Sequence, residues 1–231
     1  MQIFQIDNIP SVLYGAQADK VILAVHGNQS SKTDVPIRIL AETAQAKGYQ
    51  VLSFDLPEHG ERKGRQIPCK VQNCVEELKT VMEYVKGKWK SAGLFACSMG
   101  AYFSLLAYRD EKIEKCLFLS PVVDIGRLIE NMMTWFHVTP EQLEASGELD
   151  TPIGQKLYWD YYCYTREHPI EKWNVPTYIL YGNEDDLCEY DRIKRFTEQF
   201  ACSLEVVERG EHYFHTKKQL ERYRNWLQKE L

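Results

Sequence analysis

No apolar run in this 231-residue chain approaches the roughly 18 residues that span a bilayer. The first residues, Met1 to Asp7, lack a basic stretch followed by a long apolar one, so no secretory signal is expected. Positive charge is not in excess either: 28 Lys and Arg stand against 33 Asp and Glu, a net charge of −5. That balance leaves no electrostatic footprint for nucleic acid or an anionic membrane. The seven cysteines (69, 74, 97, 116, 163, 188 and 202) are odd in number and include no CxxC pair. Zinc-site and thioredoxin-type readings therefore have little support, and free, mostly buried thiols in a reducing cytoplasm are expected. Internal repeats and low-complexity segments are absent as well. These absences leave an ordinary water-exposed globular chain, with no metal or organic cofactor called for.

What is present is an alternation of short β-rich runs with amphipathic helical stretches. It points to an α/β fold with a mostly parallel central sheet flanked by helices. Val21 to Val25 is continuously apolar, as in a strand covered on both faces. Gln50 to Phe54, Gly93 to Cys97, Lys115 to Leu119, Pro176 to Tyr181 and Leu204 to Val207 read as further strands. Helices are expected over Ile37 to Lys47, Val71 to Val85, about Tyr190 to Phe200 and about Thr216 to Gln228. The alternation breaks between Val122 and Trp173, a block helical in character and dense in aromatics, and too long for a simple connection. The chain thus reads as one domain, 1–231, with a helical cap inserted at about 122–173 over the carboxyl edge of the sheet.

The strand ending at Cys97 runs straight into Ser98-Met99-Gly100 and then an apolar-periodic segment, Ala101 to Tyr108. A serine between small residues at such a strand-to-helix turn is either an exposed nucleophile or a helix cap. The motif is Ala96-x-Ser98-x-Gly100, with Ala where Gly is usual. Cys97 adjoins the nucleophile position, but the frame centres on Ser98. The strand ending at Tyr181 leads into Gly182-Asn183-Glu184-Asp185-Asp186; Asp185 is the first choice for a catalytic acid, then Asp186, then Glu184. The last strand leads into Gly210-Glu211-His212-Tyr213-Phe214-His215, where His212 is the candidate base and His215 a cap or surface residue. Gly27 and Asn28 follow the first core strand, and the backbone N–H groups of Asn28 and Met99 are the expected oxyanion donors, against an ordinary β–α turn as the plainer reading.

Together these segments resemble a small bacterial α/β-hydrolase of the serine-esterase type. His26-Gly27-Asn28 is similar to that family's oxyanion motif, and Asp55-Leu56-Pro57-Glu58-His59-Gly60 to its D-x-P-G-H-G loop, with Glu58 in place of Gly. The order Ser98, Asp185, His212 is that of the family's triad. The resemblance spans residues 20 to 231 and is weakest in the cap. It implies cleavage of a small or medium carboxylic ester through an acyl-Ser98 intermediate, with a small-molecule ester as the only partner. The same triad also serves thioesterases, lipase-like enzymes, carbon–carbon hydrolases and peptidases. A non-catalytic ligand-binding relative would have no need of an intact Ser, Asp and His set. Glu141, Glu144 and Glu148 are the cap carboxylates a peptidase could use for a free amino terminus. Candidate substrate contacts are His26, Glu58 and His59 on the rim and Trp135, Trp159 and Tyr162 in the cap. His59 has no clustered histidine partners that would make it a metal ligand.

Overall fold

The computed structural model describes residues 1–64 and 67–231. Its first two strands, β1 (Gln2–Ile6) and β2 (Ile9–Tyr14), form a hairpin. Asp7 and Asn8 make its two-residue turn at φ 44° and 69°, the left-handed pair a tight hairpin requires and that Asp and Asn tolerate. This hairpin adds to the strands expected from the sequence. There follow β3 (Lys20–Val25), α1 (Val35–Ala46), β4 (Gln50–Phe54), α2 (Val71–Lys86), β5 (Ser91–Cys97), α3 (Met99–Ala107) and β6 (Cys116–Leu119).

After β6 the chain leaves the sheet for α4 (Ile125–Trp135), α5 (Pro140–Ser146), β7 (Glu148–Asp150), β8 (Lys156–Tyr158) and α6 (Trp159–Glu167). It returns through β9 (Thr177–Gly182), α7 (Tyr190–Gln199), β10 (Ser203–Val207) and α8 (Lys217–Glu230). The inserted block is therefore not purely helical. Pro152 and Gly154, the latter at φ 76°, interrupt any helix there. The flanking triplets pair as antiparallel β7 and β8, with Lys156 bridging to Glu148 across them.

The sheet order is β1-β2-β4-β3-β5-β6-β9-β10; β2 runs antiparallel to both β1 and β4, and every neighbour from β4 onward is parallel. Strand alternation sorts the core into two layers. Val21, Leu23 and Val25 join the layer under α2, α3 and α7, while Ile22 and Ala24 join the layer under α1 and α8. All five are essentially inaccessible, which explains why β3 reads as one unbroken apolar run. No described helix is long and apolar enough to cross a membrane. The parallel strands β3, β5, β6, β9 and β10 all point their carboxyl ends at the same edge, and the loops that follow them carry the candidate chemistry.

Candidate active site

Ser98 sits between β5 and α3 with φ 50° and ψ −127°, and its side chain makes no helix-capping bond. A non-glycine residue held in this region costs of order 1 kcal/mol or more and persists where the surroundings impose it. Here the close approach of neighbouring backbone imposes it. A Cβ on Gly27 would lie 2.9 Å from Cβ of Ser98, and one on Gly100 would strike the His26 carbonyl oxygen. Gly27 lets the β3 loop press against the serine, and Gly100 lets the start of α3 press against that loop. Ala96, in place of the usual Gly, is fully buried, and its methyl group is taken up by the core layer under α2 and α3.

Ser98 Oγ lies 2.8 Å from His212 Nε2, and His212 Nδ1 lies 2.8 Å from Asp185 Oδ2. Asp185 accepts at Oδ2 from the imidazole and at Oδ1 from the backbone N–H groups of Leu187 and Cys188, each at 2.9 Å. Its side chain is wholly inaccessible, whereas Glu184 and Asp186 are exposed. The acid turn and the histidine loop are stitched together. Glu184 N–H donates to the Gly210 carbonyl, Arg209 N–H donates to Asn183 Oδ1, and a Cβ on Gly182 would run into the Gly210 backbone. His215 is exposed and stands just before the N-cap Thr216. Asp185, Cys188 and His212 also place one donor atom each within 4.8 Å of one another. Two of them already share a hydrogen bond, and burial pushes the Cys188 thiol well above its ordinary pKa, so it stays protonated.

The loop after β3 is held by a second set of contacts. Buried His26 donates from Nδ1 to the Gly27 carbonyl and accepts at Nε2 from Leu56 N–H, at 2.7 and 3.0 Å. Below it, fully buried Asp55 accepts from Lys32 N–H, from the Lys32 ammonium and from Glu61 N–H. Leaving that carboxylate unpaired would cost about 3–5 kcal/mol. Burial pulls the His26 pKa down to about 4 from its ordinary 6.5. Burial acts the same way on His59, but the neighbouring Cys69 and the Pro57 carbonyl outweigh it, and that pKa is raised.

The His26 shift predicts acid sensitivity of the fold. The unfolded chain takes up this proton near pH 6.5, the folded chain only near pH 4. Between the two the unfolded state binds more protons, so stability falls as pH drops, by roughly 3 kcal/mol over the window. Urea unfolding at pH 7 and pH 4.5 should show that loss in the wild type and a smaller one in His26→Gln. An equal loss in the variant would remove His26 as the cause.

A cavity of about 590 Å³ opens over Ser98 and His212. Its walls are mostly apolar and include Ile125, Ile129 and Met132 of α4, Leu157 and Tyr158 of the β7–β8 hairpin, and Phe214 of the histidine loop. Asn28, Met99, His26 and Trp135 line it as well. Four expected contacts are placed elsewhere. Glu58 accepts from Cys69 N–H, and buried His59 turns its ring to Pro57 and Asn28. Trp159 packs on Tyr162, whose hydroxyl bonds Glu130 and Arg166. Of the aromatics between Tyr158 and Tyr164, those that line the cavity are instead Tyr158 and Tyr161, the same spacing one residue earlier. The α4 face was open to reading from the spacing of Ile125, Ile129 and Met132, one stripe of a helix; Gln155, which also lines the cavity, had no such signal.

The sheet order, the strained serine after β5 and the loops gathered at the carboxyl edge make this an α/β-hydrolase. Residues 16–152 match the family described as serine aminopeptidase, S33. That is more than half of the chain, and the protein belongs to that family. Est1E from Butyrivibrio proteoclasticus, in a structure with ferulic acid bound, superposes with a TM-score of 0.80 at 21% identity, covering 99% of this chain and 97% of that one. Mouse α/β-hydrolase domain-containing protein 10 gives 0.77 at 16% identity over 99% and 96%. The Pyrococcus furiosus esterase Pf2001 gives 0.71 at 20% identity over 99% and 88%. At such identities the likeness is one of fold. Comparison with curated proteins gives no match.

Proposed function

We propose that the protein is a serine hydrolase that cleaves small or medium carboxylic esters through an acyl-enzyme. The observation that carries this reading is the unbroken chain from Ser98 Oγ through His212 to Asp185, at 2.8 Å for each link, opening into an apolar cavity. Oγ attacks the ester carbonyl carbon while His212 Nε2 takes its proton, and the imidazolium returns that proton to the departing alkoxide. Water, deprotonated by the same imidazole, then releases the acid from Ser98. The backbone N–H groups of Asn28 and Met99 receive the developing oxyanion, each donor worth about 3 kcal/mol.

The cavity wall supports an ester over a peptide with a free amino terminus. Among the described residues lining it, Asp34 is the only carboxylate, and its oxygens are engaged by Val35 N–H and the Ser30 hydroxyl. Glu141, Glu144 and Glu148 lie outside it. A volume of about 590 Å³ suits an aromatic or medium-chain acyl group, in keeping with the ferulic acid named for Est1E. Seven free thiols fit a reducing compartment, and the reading places the enzyme in the cytoplasm. A panel of p-nitrophenyl and aryl esters of rising acyl length should show turnover with an optimum at aromatic or medium chains. Turnover of aminoacyl anilides with no ester hydrolysed would overturn the proposal.

A further inference from the structure

The segment that carries the proposed oxyanion donor has no regular structure of its own. Between the end of β3 at Val25 and the start of α1 at Val35 the backbone is irregular, and Gln29 takes φ 54°. His26 fixes the first part of it through backbone partners. Asn28 is different: its side chain is held at both ends by other side chains. Its Nδ2 donates to Gln155 Oε1 in the turn between β7 and β8, at 2.9 Å. Its Oδ1 lies 3.1 Å from His59 Nε2. His59 is itself pinned, since it is buried and its Nδ1 donates to the Pro57 carbonyl at 2.7 Å.

Donor and acceptor accounting shows that this chain survives either state of the ring. With Nδ1–H committed to a carbonyl, a protonated His59 donates from Nε2 to Asn28 Oδ1, and Asn28 donates onward to Gln155. A neutral ring accepts at Nε2, and the same three groups remain bonded once both amides turn over. The contact is therefore a clamp in both states. One jaw comes from the loop after β4, the other from the cap.

From this geometry we infer that His59 and Gln155 are positioning residues, which set the place of the Asn28 N–H by gripping the Asn28 side chain. The inference rests on the proposed acyl-transfer role of Ser98. It also changes the meaning of His59, which the sequence suggested as a rim contact: the residue acts one step behind the site. Because Gln155 belongs to the cap, a cap seated on the core and an ordered oxyanion loop are the same state.

The test is a double-mutant cycle that uses Asn28→Ala, which removes the clamped side chain and keeps the backbone N–H. With a p-nitrophenyl ester as substrate, Gln155→Ala and Asn28→Ala should each lower kcat by about tenfold, with KM changed less than about twofold. Adding Gln155→Ala to Asn28→Ala should cost less than about twofold more. His59→Ala should follow the same pattern, and His59→Gln, whose amide can reach Asn28, should restore most of the loss. Since His59 is buried and its truncation could unfold the loop, the Gln155 cycle carries the decision. Losses that multiply to about a hundredfold in the double variant, or an Asn28→Ala enzyme with unchanged kcat, would overturn the inference. If the wild type hydrolyses no ester at all, it is the proposed function that fails.

Discussion

Ser98→Ala should lower kcat/KM for a medium-chain p-nitrophenyl ester by roughly 10⁶-fold and leave the fold in place. On the proposed mechanism the loss is large because triad members act as a unit: without Oγ no acyl-enzyme forms, and His212 has no proton to move. The fold should tolerate the change for reasons visible around the residue. Ser98 makes no helix-capping hydrogen bond, and its hydroxyl meets only His212 among the described side chains. Ala keeps the Cβ that fits against Gly27, and it suffers the same left-handed backbone at φ 50°. Thermal unfolding of the variant should lie within a few degrees of the wild type. A fluorophosphonate probe that labels the wild type at Ser98 should leave Ser98→Ala unlabelled. Ester turnover at wild-type rate in the variant would end the nucleophile assignment.

The sheet and the edge where the site lies were legible in the sequence because they rest on local rules. Val21 to Val25 is apolar throughout because both faces of β3 are covered, and helix periodicity marks α2 through Val71, Cys74, Val75 and Leu78. The serine, acid and histidine each follow a strand, and the parallel topology brings the three loops to one edge. The β1–β2 hairpin was harder to see, since Gln2 to Tyr14 mixes exposed and buried positions without a long apolar run. The cap was harder still. Which aromatic faces the cavity depends on where β8 hands over to α6 and how that helix is turned: Tyr158 at the end of β8 and Tyr161 in α6 line it, and Trp159 and Tyr162 do not. The Asn28 clamp joins residues 31 and 127 positions apart in the chain, and no periodicity or motif announces such a contact.

The acid is the point at which the sequence ranks three neighbouring carboxylates, Asp185 before Asp186 and Glu184, by position alone, and geometry separates them. Asp185→Asn should lower kcat by about 10⁴-fold, while Asp186→Asn should stay within about twofold of the wild type. Asp185 uses one oxygen to accept two backbone N–H groups and the other to accept from His212 Nδ1. An Asn in its place has one acceptor and one donor end. The backbone pair, from Leu187 and Cys188, requires the acceptor, so the amide NH₂ turns to the imidazole. Nδ1 must then be the unprotonated nitrogen, Nε2 carries the proton, and the ring can no longer take one from Ser98 Oγ. The lost negative charge removes the partner of the imidazolium as well. Asp186 faces solvent and makes no side-chain bond among the described residues, so its amide should change little. Steady-state rates on one ester, each normalised to folded protein, decide the matter. If Asp186→Asn proves the more damaging substitution, the acid has been assigned to the wrong residue of the pair.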